Sequence, residues 1–172
     1  TAESRKVMPI VLSEMNDLNP DRSRWKMKFP GANPFFHHCS FLQYYVASVD
    51  EKPAGRIAAF VDRTYRDHKL PGAIGWIGLF ESIEDGTVAE TLLAAAMEDL
   101  HGQGVVKVIG PARFNANGED GVLVDGFDKH PMLMEPYQPP YYARYLERWG
   151  VKENDWYAFR MNHVGATSYM KR

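Results

Sequence analysis

An α/β domain with a mixed, partly antiparallel sheet is the fold class the sequence predicts. Three observations predict it. "FLQYYVASV" (41–49) and "AGRIAAFVD" (54–62) are rich in aromatic and β-branched residues and flank the polar turn "DEKP", so they read as a hairpin. Val88, Leu92, Leu93, Ala96, Met97 and Leu100 recur at helical spacing and fall on one face. "VVKVIG" (105–110) follows that helix directly and reads as a short strand buried on both faces. Strand, helix, strand in this order makes a right-handed crossover between parallel strands.

The elements follow in order along a single domain, 1–172. Residues 1–34 are expected to be irregular, broken by Pro9, Pro20, Pro30 and Pro34, with a short helix in "VMPIVLSEMNDL" (7–18). Antiparallel strands fill 41–80: the hairpin, the connection "RDHKLPG" (66–72), then a third strand "AIGWIGLF" (73–80). The central helix spans 87–103 and is the longest, with Gly102 and Gly104 to stop it. Residues 111–140 are rich in Gly, Asn, Asp and Pro without a period, a long loop of the kind that is usually functional. The segment 140–161 closes the domain. In it "PPYYARYLERWG" (139–150) reads as a helix, with Pro140 near its first turn and Gly150 past its end, and "NDWYAFRM" (154–161) as a final strand.

Composition narrows the functions. A net charge of −2 provides no overall basic field, so no nucleic-acid partner is expected. The basic stretch "RSRWKMK" (22–28) reads as a solvated face. No apolar run approaches the length needed to span a bilayer, so no membrane partner is expected. Cys39 is the sole cysteine, which excludes an intrachain disulfide and favours a reducing compartment, the cytoplasm. His37, His38 and Cys39 alternate sides on extended backbone, and no second ligand pair follows at zinc spacing, so no metal is expected. The chain has no G-x-S-x-G, P-loop or H-E-x-x-H motif.

The stretch "FESIEDGTVAETLL" (80–93) is a strand end, a sharp turn and a helix start. The first amides of a helix lack internal partners, and phosphates are often held there. Here, however, the turn carries Glu81, Glu84 and Asp85 and a single glycine. Thr87 and Glu90 also stand at capping-box spacing, Thr87 accepting from the Glu90 amide and Glu90 reaching back to the amide of Thr87. On this reading the helix start satisfies itself. The alternative is a cofactor held by strand-end groups, with its phosphates shifted toward solvent.

Several segments carry a resemblance to the GNAT acyltransferase superfamily. The order of three antiparallel strands, a helix, a parallel strand, a helix and a strand is the order of that fold. "YYVASVDEKPAGRIAAF" looks like its second hairpin, and "YLERWGVKENDWYAF" is similar to its closing helix–Gly–strand. "NPFFHH", "GPARFN" and "LVDGFDKHPMLMEPYQPPYY" resemble a branch of poorly characterised GNAT-like proteins. The resemblance covers residues 7–160 and implies that the first strand of the fold is missing here, because chains of that branch begin further upstream. It implies transfer of an acyl group from acetyl-CoA or another acyl-CoA to the amine of a small molecule. Against the superfamily's cofactor signature, Glu84 stands at the basic position and Thr87 at the first glycine, and only Ala89 conforms. The alternative function is a GNAT-like ligand-binding or interaction module that does not use CoA.

The resemblance also implies site residues. Phe80, Ser82, Ile83, Gly86, Thr87 and Val88 are the candidate cofactor contacts. The general acid of the superfamily is a tyrosine four residues before the closing glycine, where this chain has Leu146. Tyr142 and Tyr145 are the candidates in its place, with Tyr141 beside them, and Glu81 is the candidate base. Arg113, Asn115 and Asn117 in the loop, with Tyr137, are the candidate substrate contacts.

Overall fold

A computed structural model describes residues 38–112, 120–131 and 135–158. Within them the order is β1 (Cys39–Val49), β2 (Lys52–Asp62), β3 (Ala73–Ser82), α1 (Gly86–Gly102), β4 (Val105–Ile109) and α2 (Tyr141–Leu146). The four strands form one sheet in the order β1-β2-β3-β4. The first three are antiparallel neighbours and β4 joins β3 in parallel. This is the mixed α+β class expected from the sequence, with the hairpin, the third strand and the crossover helix in their expected places. The short helix expected at 7–18 lies outside the described residues.

The hairpin turn is tighter than "DEKP" suggested. Val49 pairs with Lys52, so only Asp50 and Glu51 form the loop, with φ of 49° and 62°. Positive φ at both central residues matches the right-handed twist of the strands it joins.

Helix α1 packs its apolar stripe on the sheet. Val88, Ala89, Leu92, Leu93, Ala96 and Leu100 are buried with Ile57, Ala59, Ile77 and Phe80 of the strands. The opposite face of the sheet buries a second group: Phe60, Ile74, Trp76 and Ala112. Phe60 and Trp76 stack there, with ring centres 6.2 Å apart.

Three boundaries depart from expectation. Helix α1 begins at Gly86, because Asp85 and not Thr87 caps it. Helix α2 is six residues long, Tyr141–Leu146, rather than the expected 139–150, and ends in a turn in which Trp149 and Gly150 donate to the Leu146 carbonyl. The strand expected at 154–161 is absent from its described part, 154–158. An ion pair joins Lys152 to Asp155 at 3.0 Å. Side chains three apart on a strand point to opposite faces, about 10 Å from one another along it, so that pair requires a bent chain. Trp156, 84% exposed, has no core to face.

Candidate functional site

The site forms where β3 outruns β4. Their pairing ends at Trp76 opposite Ile109, while β3 continues to Ser82. The chain leaves β4 through a cis Gly110–Pro111 bond and crosses β3, and the Ala112 amide donates to the Ile77 carbonyl at 2.9 Å. The crossing is close. A Cβ on Gly78 would lie 1.9 Å from the Ala112 carbonyl oxygen, so only glycine fits there. Beyond it, Leu79 takes φ of 52° at a register shift between β2 and β3. That irregularity turns Phe80 toward α1 and α2 and sends Glu81 to the other face. The last residues of β3 are therefore left without a β4 partner.

Helix α2 closes on this open end with its tyrosines. Tyr142 is buried, packs edge-on to Phe80 at 5.1 Å, and accepts from the Ser82 amide at 2.9 Å. Its hydroxyl also reaches the Ser82 carbonyl at 3.3 Å. Burial pushes its phenol up to about 12, against a lowering from the Ser82 hydrogen bond. Tyr141, half-buried, donates to the same carbonyl at 3.0 Å. Its pKa is raised as well, first by burial and then by the carboxylate of Glu84. Tyr145 stacks at a tilt on Tyr141, 5.6 Å between centres, and borders Gly86 at the start of α1. Tyr142 thus lies beside the open end of β3, and Tyr145 beside the start of α1.

Glu81 lies opposite Arg56 on β2 and forms an ion pair at 2.7 Å between its Oε1 and the arginine Nη2. The Nε of the same guanidinium is enclosed without a partner. Ser82 is buried, its hydroxyl donating to the Ile83 carbonyl at 2.8 Å, and the Ile83 side chain is exposed.

At the helix start the Thr87 amide has a side-chain cap, but not the one the capping box foresaw. The Asp85 carboxylate accepts from the Thr87 amide at 2.8 Å. Glu90 instead accepts from the Trp149 indole at 3.2 Å and does not turn back to Thr87. Glu84 lies 3.5 Å from Arg144 of α2. Thr87 is exposed, and Val88 is buried in the core.

Tyr137 is exposed and donates to the Phe127 carbonyl at 2.9 Å. Arg113, Asn115 and Asn117 lie outside the described residues. Among the described residues no three His, Cys, Asp or Glu side chains gather as a metal would require, and no helix is long and apolar enough to cross a membrane. The partnership of Arg56 with Glu81 was missed from sequence, because it lies beyond the register shift at Leu79: straight counting from Ala58 opposite Gly78 would put Phe80, not Glu81, opposite Arg56. Asp85 was missed as a cap because Thr87, two residues on, offered a complete motif.

No family model matches the chain. It is 36% identical over 143 residues to Protein YghO of Escherichia coli (strain K12), a match covering 78% of this chain and 36% of that protein. It is 31% identical over 137 residues to the Bacterial ceramide synthase of Caulobacter vibrioides (strain NA1000 / CB15N), covering 79% and 35%. The chain thus spans little more than a third of the length of these curated relatives. Solved structures give looser likenesses. A putative acetyl transferase from Pyrococcus furiosus has a TM-score of 0.44 at 15% identity, with 88% and 93% of the two chains covered. An aminoglycoside acetyltransferase from an uncultured soil metagenomic sample, in complex with sisomicin, has a TM-score of 0.41 at 12% identity, with 90% of each chain covered.

Proposed function

We propose that this domain transfers an acyl group from an acyl-CoA thioester to an amine. The observation that carries the reading is the end of β3 that β4 leaves uncovered, with the α2 tyrosines at its edge. An open strand edge gives an extended, amide-bearing chain such as pantetheine backbone partners to pair with. The likeness to a Bacterial ceramide synthase supports amide formation as the reaction, since a ceramide is an N-acylated amine. The cytoplasm expected from the single cysteine goes with a CoA donor.

The proposed roles are these. Phe80, Ser82 and Ile83 line the strand end, and Gly86, Thr87 and Val88 the helix start, where the acyl-CoA would lie. The amine nitrogen attacks the thioester carbonyl; the C–N bond forms, the C–S bond breaks, and Glu81 takes the proton from the nitrogen. Tyr142 keeps the strand end in place through the Ser82 amide. Tyr141, less buried and held near neutral pH as a neutral phenol, donates a proton to the leaving thiolate. Tyr145 borders the donor at Gly86. Arg113, Asn115, Asn117 and Tyr137 are the proposed acceptor contacts contributed by the loop.

A second reading, a module that binds no CoA, is favoured by the helix start. The Asp85 carboxylate holds an amide that a phosphate would want, and Glu84 stands beside it. Calorimetric titration with acetyl-CoA, paired with an assay of thiol release on adding amines, separates the two. Binding with amine-dependent thiol release supports the transferase. Failure to bind acetyl-CoA and longer acyl-CoAs supports the module.

A further inference from the structure

We infer that the sheet face turned away from α1 carries an acceptor subsite for a primary amine with an aliphatic tail. In it Glu81 holds the ammonium group and Val46 and Tyr44 of β1 line the tail. The inference rests on the acyl-transfer reading for why an amine is bound there, and it goes further in naming the amine's class.

The direction of each side chain can be fixed. A Cβ on Gly55 would point at the Leu92 side chain of α1, 2.8 Å away. Gly55 therefore faces α1, and Arg56, the next residue on the strand, faces the opposite way. Arg56 pairs with Val46 on one side and with Glu81 on the other. Val46, Arg56 and Glu81 thus form one cross-strand row on the far face, spanning two inter-strand steps, about 10 Å. Tyr44, two residues before Val46, shares that face.

The row is chemically uneven. At its β3 end stands a carboxylate whose Oε1 is held by Arg56, leaving Oε2 to accept from a ligand. Its β1 end is apolar and exposed: Val46 is 67% exposed and Tyr44 40%. Val46 stands in water directly across from an arginine that already has its carboxylate, so it takes no part in the ion pair. An ammonium on Glu81 lies at the end of β3 where the thioester is placed, and its tail then runs across Arg56 onto Val46 and Tyr44. The stem of Arg56 provides methylenes along that path.

The test needs no acyl-CoA, so its failure is separable from that of the transferase reading. The protein is titrated by calorimetry with butylamine and with dodecylamine, the latter below its micelle concentration. Burial favours each methylene by about 0.8 kcal/mol, or roughly fourfold, so dodecylamine is expected to bind at least tenfold more tightly than butylamine. Glu81→Gln should weaken dodecylamine binding about tenfold and leave dodecanol unaffected. Val46→Asp should remove most of the chain-length dependence. Both positions are exposed, and an unchanged Tm confirms that each variant folds. Equal affinity for the short and long amines, or dodecylamine binding untouched by both substitutions, would overturn the inference. So would tighter binding of a carboxylated amine than of dodecylamine, because the acceptor would then be reading Arg56 instead of Glu81.

Discussion

Tyr142 acts through one oxygen atom, which takes the Ser82 amide in a buried setting. Removing that oxygen leaves the amide without an acceptor, a cost of about 1–3 kcal/mol. Urea denaturation of Tyr142→Phe should show a loss of that size, and Tyr141→Phe should cost less, because it removes one of two donors to the Ser82 carbonyl. At the helix start, Asp85→Ala removes the cap and should destabilise by about 1 kcal/mol, while Thr87→Ala should change stability little. Equal losses at both positions would put the cap back on Thr87. If acyl-CoA binds here, Asp85→Ala should also tighten it, since a carboxylate leaves and an amide is released. Sequence spacing pointed to this helix start but not to its capping residue. Asp85 and Thr87 are both good caps, and only the backbone decides which stands outside the helix: Asp85 is extended, at φ −136° and ψ 114°.

The elements that were legible are those fixed by local pattern. The hairpin and α1 repeat their apolar residues with the periods of strand and helix, so each announces itself over ten residues or more. The turn between β1 and β2 was legible in place but not in type. It holds Asp50 and Glu51 at positive φ, which costs a non-glycine residue on the order of 1 kcal/mol. Replacing Asp50-Glu51 with Asn-Gly should therefore raise stability by about 1 kcal/mol, read as a higher midpoint in denaturant with an unchanged slope. The shift at Leu79 and the early end of β4 were illegible, because a distant contact sets them: the Ala112 carbonyl lies on Gly78. Gly78→Ala forces a methyl into that carbonyl, and a loss of about 1–3 kcal/mol is expected from overpacking of this kind. The closing segment shows the converse. "NDWYAF" is rich in aromatic residues as a strand is, yet the reading fails because Trp156 and Tyr157 remain exposed.

At the scale of the whole molecule, phenols tie the helical layer to the sheet at two separate points. Tyr142 joins α2 to the end of β3, and Tyr45 joins β1 to Asp99 near the end of α1. Both phenols have pKa values raised above the usual tyrosine range, Tyr142 to about 12 by burial, Tyr45 by burial and then by its hydrogen bond to the Asp99 carboxylate. A group with a raised folded pKa gives its full stabilisation below its unfolded pKa, about 10 for tyrosine. That contribution is lost as pH rises through the folded value. Stability should therefore hold up to pH about 10 and fall above it, to about 12 for Tyr142 and further for Tyr45, because the phenols ionise in the unfolded chain while the fold still holds them neutral beside the Ser82 carbonyl and Asp99. Denaturant midpoints measured across this range, with phenolate absorbance followed in parallel, check the expectation. The double variant Tyr45→Phe with Tyr142→Phe starts less stable and should lose much less over the same interval, so the two curves converge at high pH. Parallel curves would mean that other groups set the alkaline limit and that these hydroxyls do not couple the two layers.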